Sequence, residues 1–476
     1  MPSGSPFLRG GNLRDSLGTT LNGLLQRVPR EELAALKRAV EREGFERDIV
    51  YYDDDNQPRP MPILLRPRVL GGNQRNYLHR AARTLEHAHA KLLQLWQESP
   101  LAREVLPLHE RERRWLAELA RPGHHHEVFF GRFDASTDFG SPDWVKSTQF
   151  FEFNPLGAGG TYVVPTIDDI VLKHVVPALR KRAPTLLLEP NDDPRRVLLE
   201  VLADQARSLR LKRFNVALAQ YKDLVGGVSE FEHNQAFLRS LGIECWHVDP
   251  RELRLVDGEM RYGDHPIDIV YRDHEVNDLA QKEEQGDDLS AIKFALASGR
   301  CVSTLAGEFD HKSVFEIFTR AEFGEFFTLE ERRVFQHHLP WTRIVRDART
   351  SGPDGADIEL LPWARAHRER LVVKPNRAYG GSGILLGREI SARAFELALE
   401  RGVAHPGEWV VQAFSPIAEK DFPVIDEHGN LGLAEYFTVL GLFVSEQRLA
   451  ILGRASQRKV VNVAQKGGVV SVLRLL

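Results

Sequence analysis

Cysteine is nearly absent. Cys245 and Cys301 are the only two among 476 residues, and neither sits in a metal-ligand spacing. That argues against a disulfide framework and a cysteine-ligated metal centre. An excess of one charge is lacking too: 63 Lys and Arg face 67 Asp and Glu, leaving −4. Nucleic acid and membrane surfaces are therefore not expected partners. No apolar run approaches the ~20 residues needed to cross a bilayer. The first residues, MPSGSPFLRGGNLRDSLG, have neither a basic start nor an apolar core, so they read as a loose tail and not as an export signal. The expected compartment is the cytoplasm.

What remains is a globular composition, 42% hydrophobic and 27% charged. At this length a single core has usually stopped growing, which predicts two or three domains. The patterning divides the chain at 1–122, 123–190, 191–305 and 306–476, and the mixture of elements is α/β (α+β) in class.

Residues 1–122 read as a helical N-terminal region. Pro29 with Glu31 and Glu32 behind it suits a helix start. A long helix is predicted over 74–98. Residues 62–70 (PILLRPRVL) read as a strand or an extended connection. Two motifs carry metal-ligand residue types: 51–56 (YYDDDN) and 124–126 (HHH). The first lacks calcium-loop spacing and reads as a solvated acidic turn. In the second, three adjacent imidazoles on an extended chain cannot all face one ion.

Residues 127–134 (EVFFGRFD) and 148–154 (TQFFEFN) are strand patterns. Side chains on a strand alternate faces. Arg132 and Asp134 therefore share one face, and Glu152 and Asn154 share one face. Paired as a hairpin, the strands gather two carboxylates, an amide and a guanidinium on a surface backed by phenylalanines. Hard oxygen ligands of this kind suit Mg2+ together with phosphate, and arginine offers phosphate a planar fork. A solvated amphipathic hairpin is the open alternative. A glycine loop, 155–161 (PLGAGGT), follows at once. A helix over 167–182, interrupted near Pro177, comes next.

Residues 195–305 alternate helices and strands, as an open α/β sheet does. Such sheets bind ligands beyond the carboxyl ends of their strands. Arg272 lies at one such end, where a structural ion pair is favoured over a substrate contact.

In the last region Lys312 lies at a helix start that Asp310 could cap. Lys374 ends a short buried strand (LVVKP). Gly380, Gly381, Ser382 and Gly383 then form a loop whose backbone N–H groups can lie over phosphates. It is not a Walker loop, since no lysine and Ser/Thr close it. Gln412 is a polar residue among the apolar neighbours of strand 408–414. Arg454 lies on a strand near the end of the chain.

The order lysine, lysine, glycine hairpin, glutamine is similar to the ATP-grasp nucleotide site. The carboxylate segment precedes those elements here, and in that respect the chain resembles the circularly permuted ATP-grasp family, which includes glutathionylspermidine synthetase. The likeness covers roughly residues 125–476; the first 120 match nothing we can name. It implies an ATP-grasp fold with a pre-ATP-grasp open sheet and the helical N-terminal region in front. It further implies a Mg2+-dependent carboxylate–amine ligase that uses ATP to form an amide or peptide bond through an acyl phosphate. Its substrates would be a small-molecule or peptide carboxylate and an amine, and a homodimer is expected by fold analogy. By the same likeness Asp134, Glu152 and Asn154 hold Mg2+. Lys312 and Lys374 hold the α- and β-phosphates, the 380–383 loop closes over them, and Gln412 meets the adenine edge. Arg132 and Arg454 face the γ-phosphate or the tetrahedral intermediate. The segment EFNPLGAGG departs from the family's EYNADTP, which argues against glutathione and spermidine as substrates. Two other classes stay open: a phosphotransferase or hydrolase on the same fold, and a non-catalytic nucleotide-binding protein.

Overall fold

The structure, a computed structural model, describes residues 16–52, 57–120, 127–224, 229–378, 383–458 and 467–476. It is a mixed α/β arrangement of helices and several sheets. The largest sheet has eight strands. Its main path runs Ile63–Leu70, Gly468–Leu475, Leu449–Ser456, Leu431–Val444, Arg132–Ser136, Gln149–Asn154. Leu188–Glu189 adds to Gly468–Leu475, and Ala418–Ile425 adds to the first half of Leu431–Val444.

This sheet interleaves distant parts of the chain. Residues 1–122 do not stand apart from it: Ile63–Leu70 pairs in parallel with the C-terminal strand. The helices Ser16–Gln26, Arg30–Glu46 and Val163–Arg180 cover one face through Leu25, Val40, Ile170 and Val175, packed on Leu65, Val469 and Leu473. Helix Gly72–Ala90 covers other sheet residues, among them Phe133 and Leu442, through Leu78, Leu85 and Ala88. The helix expected over 74–98 is in fact two, Gly72–Ala90 and Leu92–Glu98, with Lys91 between them as the C-cap of the first. Pro177, by contrast, does not interrupt Val163–Arg180. It lies in the final turn, where its missing N–H removes only one helical bond.

A second sheet is wholly parallel, in the order Cys301–Val302, Ile269–Arg272, Val216–Ala219, Cys245–Val248. Val216–Ala219 is buried at every position, as a strand covered on both faces must be. Helices Pro194–Ser208, Glu230–Ser240 and Ser290–Ala297 pack around it. Arg272 makes the structural ion pair, buried against Glu308 and donating also to Ser303 O and Thr304 O.

The third sheet, Thr342–Ile344, Trp409–Ala413, Leu371–Pro375, Leu385–Leu386, has its own apolar core around Trp341, Leu371, Val373 and Phe395. Lys374 lies on it. The acidic motif beyond Tyr52 and the histidine triplet at 124–126 lie outside the described residues.

Candidate functional site

The site begins with the hairpin Arg132–Ser136 and Gln149–Asn154. The strands are antiparallel, with Arg132 opposite Asn154 and Asp134 opposite Glu152. The phenylalanines on the other face pack into an aromatic cluster. Phe133 and Phe153 meet edge to face at 4.8 Å, and Phe153 meets Phe315 at 4.7 Å. Phe315 lies on helix Val314–Thr319, which directly follows Lys312. One aromatic cluster thus fixes both the carboxylate hairpin and the approach of the lysine.

Asp134 is 1% exposed. Arg132 grips it with Nε at 2.8 Å and Nη2 at 3.2 Å, and Arg454 Nη2 lies 2.7 Å from its other side. Burial alone would raise its pKa, but the two guanidinium groups outweigh burial and hold the carboxyl below its ordinary value. Gly441, opposite Asp134 on the neighbouring strand, lets Arg132 lie flat across it. A Cβ there would stand 2.5 Å from Arg132 Cδ. No signal in the sequence marked this glycine.

Glu152 faces Lys312, whose Nζ lies 3.1 Å from Oε1 and donates to Ala378 O at 2.7 Å. Lys374, 6% exposed, donates to the carbonyl of Phe151 at 3.1 Å. Burial pushes its ammonium down to about 7; the charge of Lys312 acts in the same direction and Glu152 opposes it. Asp310 does not cap the following helix. Ser313 is the N-cap residue, and Asp310 is buried with its pKa pushed well above the ordinary value by burial.

The glycine loop 155–161 is pinned. Glu230 accepts from Gly160 N at 2.9 Å, from Thr161 N at 2.8 Å and from Thr161 Oγ1 at 2.7 Å. Two of the loop's N–H groups are therefore filled by the protein's own carboxylate, and its carbonyl at Gly159 accepts from Arg132 at 2.7 Å. The loop serves the hairpin by holding Arg132. Glu230 is seventy residues away, so nothing local in the sequence signals this pinning.

Arg132, Asp134, Glu152, Asn154, Lys312, Lys374, Gln412 and Arg454 all line one cavity of about 1050 Å3. Other parts of its wall are apolar, with Trp363, Leu371, Leu386 and Phe414. Gln412 is buried, and its amide nitrogen donates to Thr342 Oγ1 at 2.9 Å, so one edge of it is already engaged within the sheet. Gly380, Gly381 and Ser382 lie outside the described residues. Gly383 has φ +74 and packs so closely on Pro375 that a Cβ would stand 2.9 Å from its Cγ.

The electrostatics favour a polyanion. Arg132, Lys312, Arg370, Lys374, Arg388 and Arg454 bring up to six positive charges, and Asp134, Glu152 and Glu419 bring three negative ones, a surplus of up to three. The metal question turns on the same carboxylates. Among the described residues no group of three or more His, Cys, Asp or Glu converges as an all-protein site. Two carboxylates facing each other across paired strands, with an amide beside them, fit an ion that keeps waters and takes further ligands from phosphate.

No family model and no curated protein matches the chain. Among solved structures, the apo form of a glutathione synthetase-like effector from Globodera pallida aligns over 94% of this chain and 98% of its own, with a TM-score of 0.62 and 11% identity. The likeness is one of fold. No described helix is long and apolar enough to cross a membrane.

Proposed function

We propose that the chain is an ATP-dependent carboxylate–amine ligase built on a circularly permuted ATP-grasp architecture. One observation carries the reading: a single large cavity joins six Lys and Arg side chains and two facing carboxylates to an apolar wall. A nucleoside triphosphate has the matching parts, an aromatic base and a polyanionic tail. The fold likeness to a glutathione synthetase-like protein supports the same class.

In this reading Lys312 and Lys374 hold phosphate oxygens, and Arg132 and Arg454 face the transferring group. Asp134, Glu152 and Asn154 would hold Mg2+, which when bound neutralises phosphate charge. An oxygen of the substrate carboxylate attacks the γ-phosphorus, and the bond to the β-phosphate oxygen breaks to release ADP. The amine nitrogen then attacks the acyl carbon, expels inorganic phosphate and loses a proton, leaving an amide. The protein's part is positioning and fixed charge, since little covalent chemistry is asked of it.

Hydroxylamine trapping tests the reading. ATP, Mg2+ and a mixture of amino acids and small carboxylic acids should give ADP and a hydroxamate in parallel. ADP without hydroxamate points to a phosphotransferase or hydrolase instead. A second reading, a non-catalytic nucleotide-binding protein, is favoured by the ion pairing of both carboxylates, which must loosen before either can serve a metal.

A further inference from the structure

Asn376 lies two residues beyond Lys374, has 0% exposure, and has no place in the chemistry above. Each of its polar groups is used. Its Oδ1 accepts from Ser313 N at 2.9 Å, and its main-chain carbonyl accepts from Lys312 N at 2.9 Å. Its Nδ2 donates to Gly407 O at 2.8 Å, and its main-chain N–H donates to Glu408 O at 2.7 Å. It thus ties three pieces of chain that are remote in sequence: the end of the Lys374 strand, the turn bearing Lys312, and the turn leading into strand Trp409–Ala413.

The consequence is geometric. Lys312 and Lys374 reach the same short stretch of the hairpin, one to the Glu152 carboxylate and the other to the Phe151 carbonyl. Two buried ammonium groups brought that close repel each other. The Lys312 turn is short and precedes a six-residue helix, so it has little regular structure of its own to resist the repulsion. Two of the four bonds of Asn376 go directly to that turn. A planar amide offers an acceptor and a donor side by side to two different partners, which a leucine of similar volume or a serine cannot reproduce.

We infer that Asn376 is a positioning residue that sets the spacing of Lys312 and Lys374 for a polyphosphate. The inference rests on the nucleotide reading of the cavity. It assigns to Asn376 the phosphate part of binding and leaves the apolar part of the cavity untouched.

The test compares two ligands by calorimetry on the full chain: Mg-ATP, and adenosine, which lacks phosphates. In Asn376→Ala the affinity for Mg-ATP should fall at least tenfold while that for adenosine stays within twofold of wild type. A parallel fall for both ligands marks a general structural role and overturns the inference, as does no fall for either. Should Asn376→Ala fail to fold, Asn376→Ser, whose short hydroxyl cannot make both side-chain bonds, replaces it, with the same split expected. Wild-type protein that binds neither ligand removes the nucleotide reading itself, an outcome distinct from a wild type that binds both and a variant that does so equally.

Discussion

Asp134 and Glu152 stand opposite each other on paired strands, yet each is neutralised from a different side. Asp134 is clamped by Arg132 and Arg454, from its own strand and from the strand Leu449–Ser456. Glu152 is met by Lys312, which arrives from outside the central sheet. The carboxylates are therefore not equivalent. The buried one has a fixed pair of partners, and the other is the more accessible side chain at 23% exposure.

Glu152→Gln should keep the fold and lose turnover. The amide keeps the side chain's shape but not its charge, so Lys312 stays unneutralised and the metal set loses a carboxylate. ADP release should fall about 10²-fold or more, the size of effect seen when one charge-stabilising group is removed, with an unchanged circular dichroism spectrum. Near-normal turnover would remove the metal assignment.

Gly441→Ala should cost stability and nucleotide affinity together. The new methyl meets Arg132 at 2.5 Å, and the strand on which it sits is paired on both sides. Overpacking of this kind costs about 1–3 kcal/mol, read as a lower urea midpoint at constant m-value. Displacing Arg132 should also weaken Mg-ATP binding. A variant as stable and as tight-binding as wild type contradicts the packing described.

Lys374 should make nucleotide binding take up a proton. In the free protein burial holds its pKa at about 7, so above that pH it is largely neutral. Bound phosphates favour the ammonium form. Affinity for Mg-ATP should then fall as pH rises from about 7 to 9. Titration in two buffers of different ionisation enthalpy should show proton uptake near pH 8, absent in Lys374→Met. The folding linkage has the opposite trend: the unfolded chain binds more protons between about 7 and the ordinary lysine value, so this group adds stability as pH rises through that window.

Asp168 offers a pH effect remote from the cavity. It is buried on helix Val163–Arg180, accepts from Ser471 Oγ at 2.7 Å and from Asn191 N at 3.1 Å, and burial pushes its pKa up to about 7. The folded state then binds the extra proton, so stability falls as pH rises from about 4 to 7 and is level above. Asp168→Asn removes that contribution. Its stability relative to wild type, from urea melts at pH 5 and pH 8, should increase with pH.

Much of the cavity was legible because strand alternation is a strict rule. Arg132, Asp134, Glu152 and Asn154 could be placed on one face from period two alone, and the two buried-strand patterns around Lys374 and Gln412 were visible as apolar runs. What escaped depends on partners far away in sequence. Glu230 fills the glycine loop, Gly441 makes room for Arg132, and Asn376 fixes the Lys312 turn; none has a local pattern to announce it. The same holds for Ile63–Leu70, whose sequence fits a strand but whose neighbour is the C-terminal strand 400 residues on. Pro177 was not legible because its lost backbone bond is offset by burial of Val175, Val176 and Leu179 around it, a tertiary effect with no local pattern.

The most direct measurement is a calorimetric titration of the full chain with Mg-ATP, repeated on the Lys312→Met, Lys374→Met double variant. One site is expected in the wild type and a loss of at least a hundredfold in affinity in the variant, with the fold retained by circular dichroism. Absence of Mg-ATP binding by the wild type, or equal binding by the variant, would contradict the claim that this cavity holds a nucleotide's phosphates.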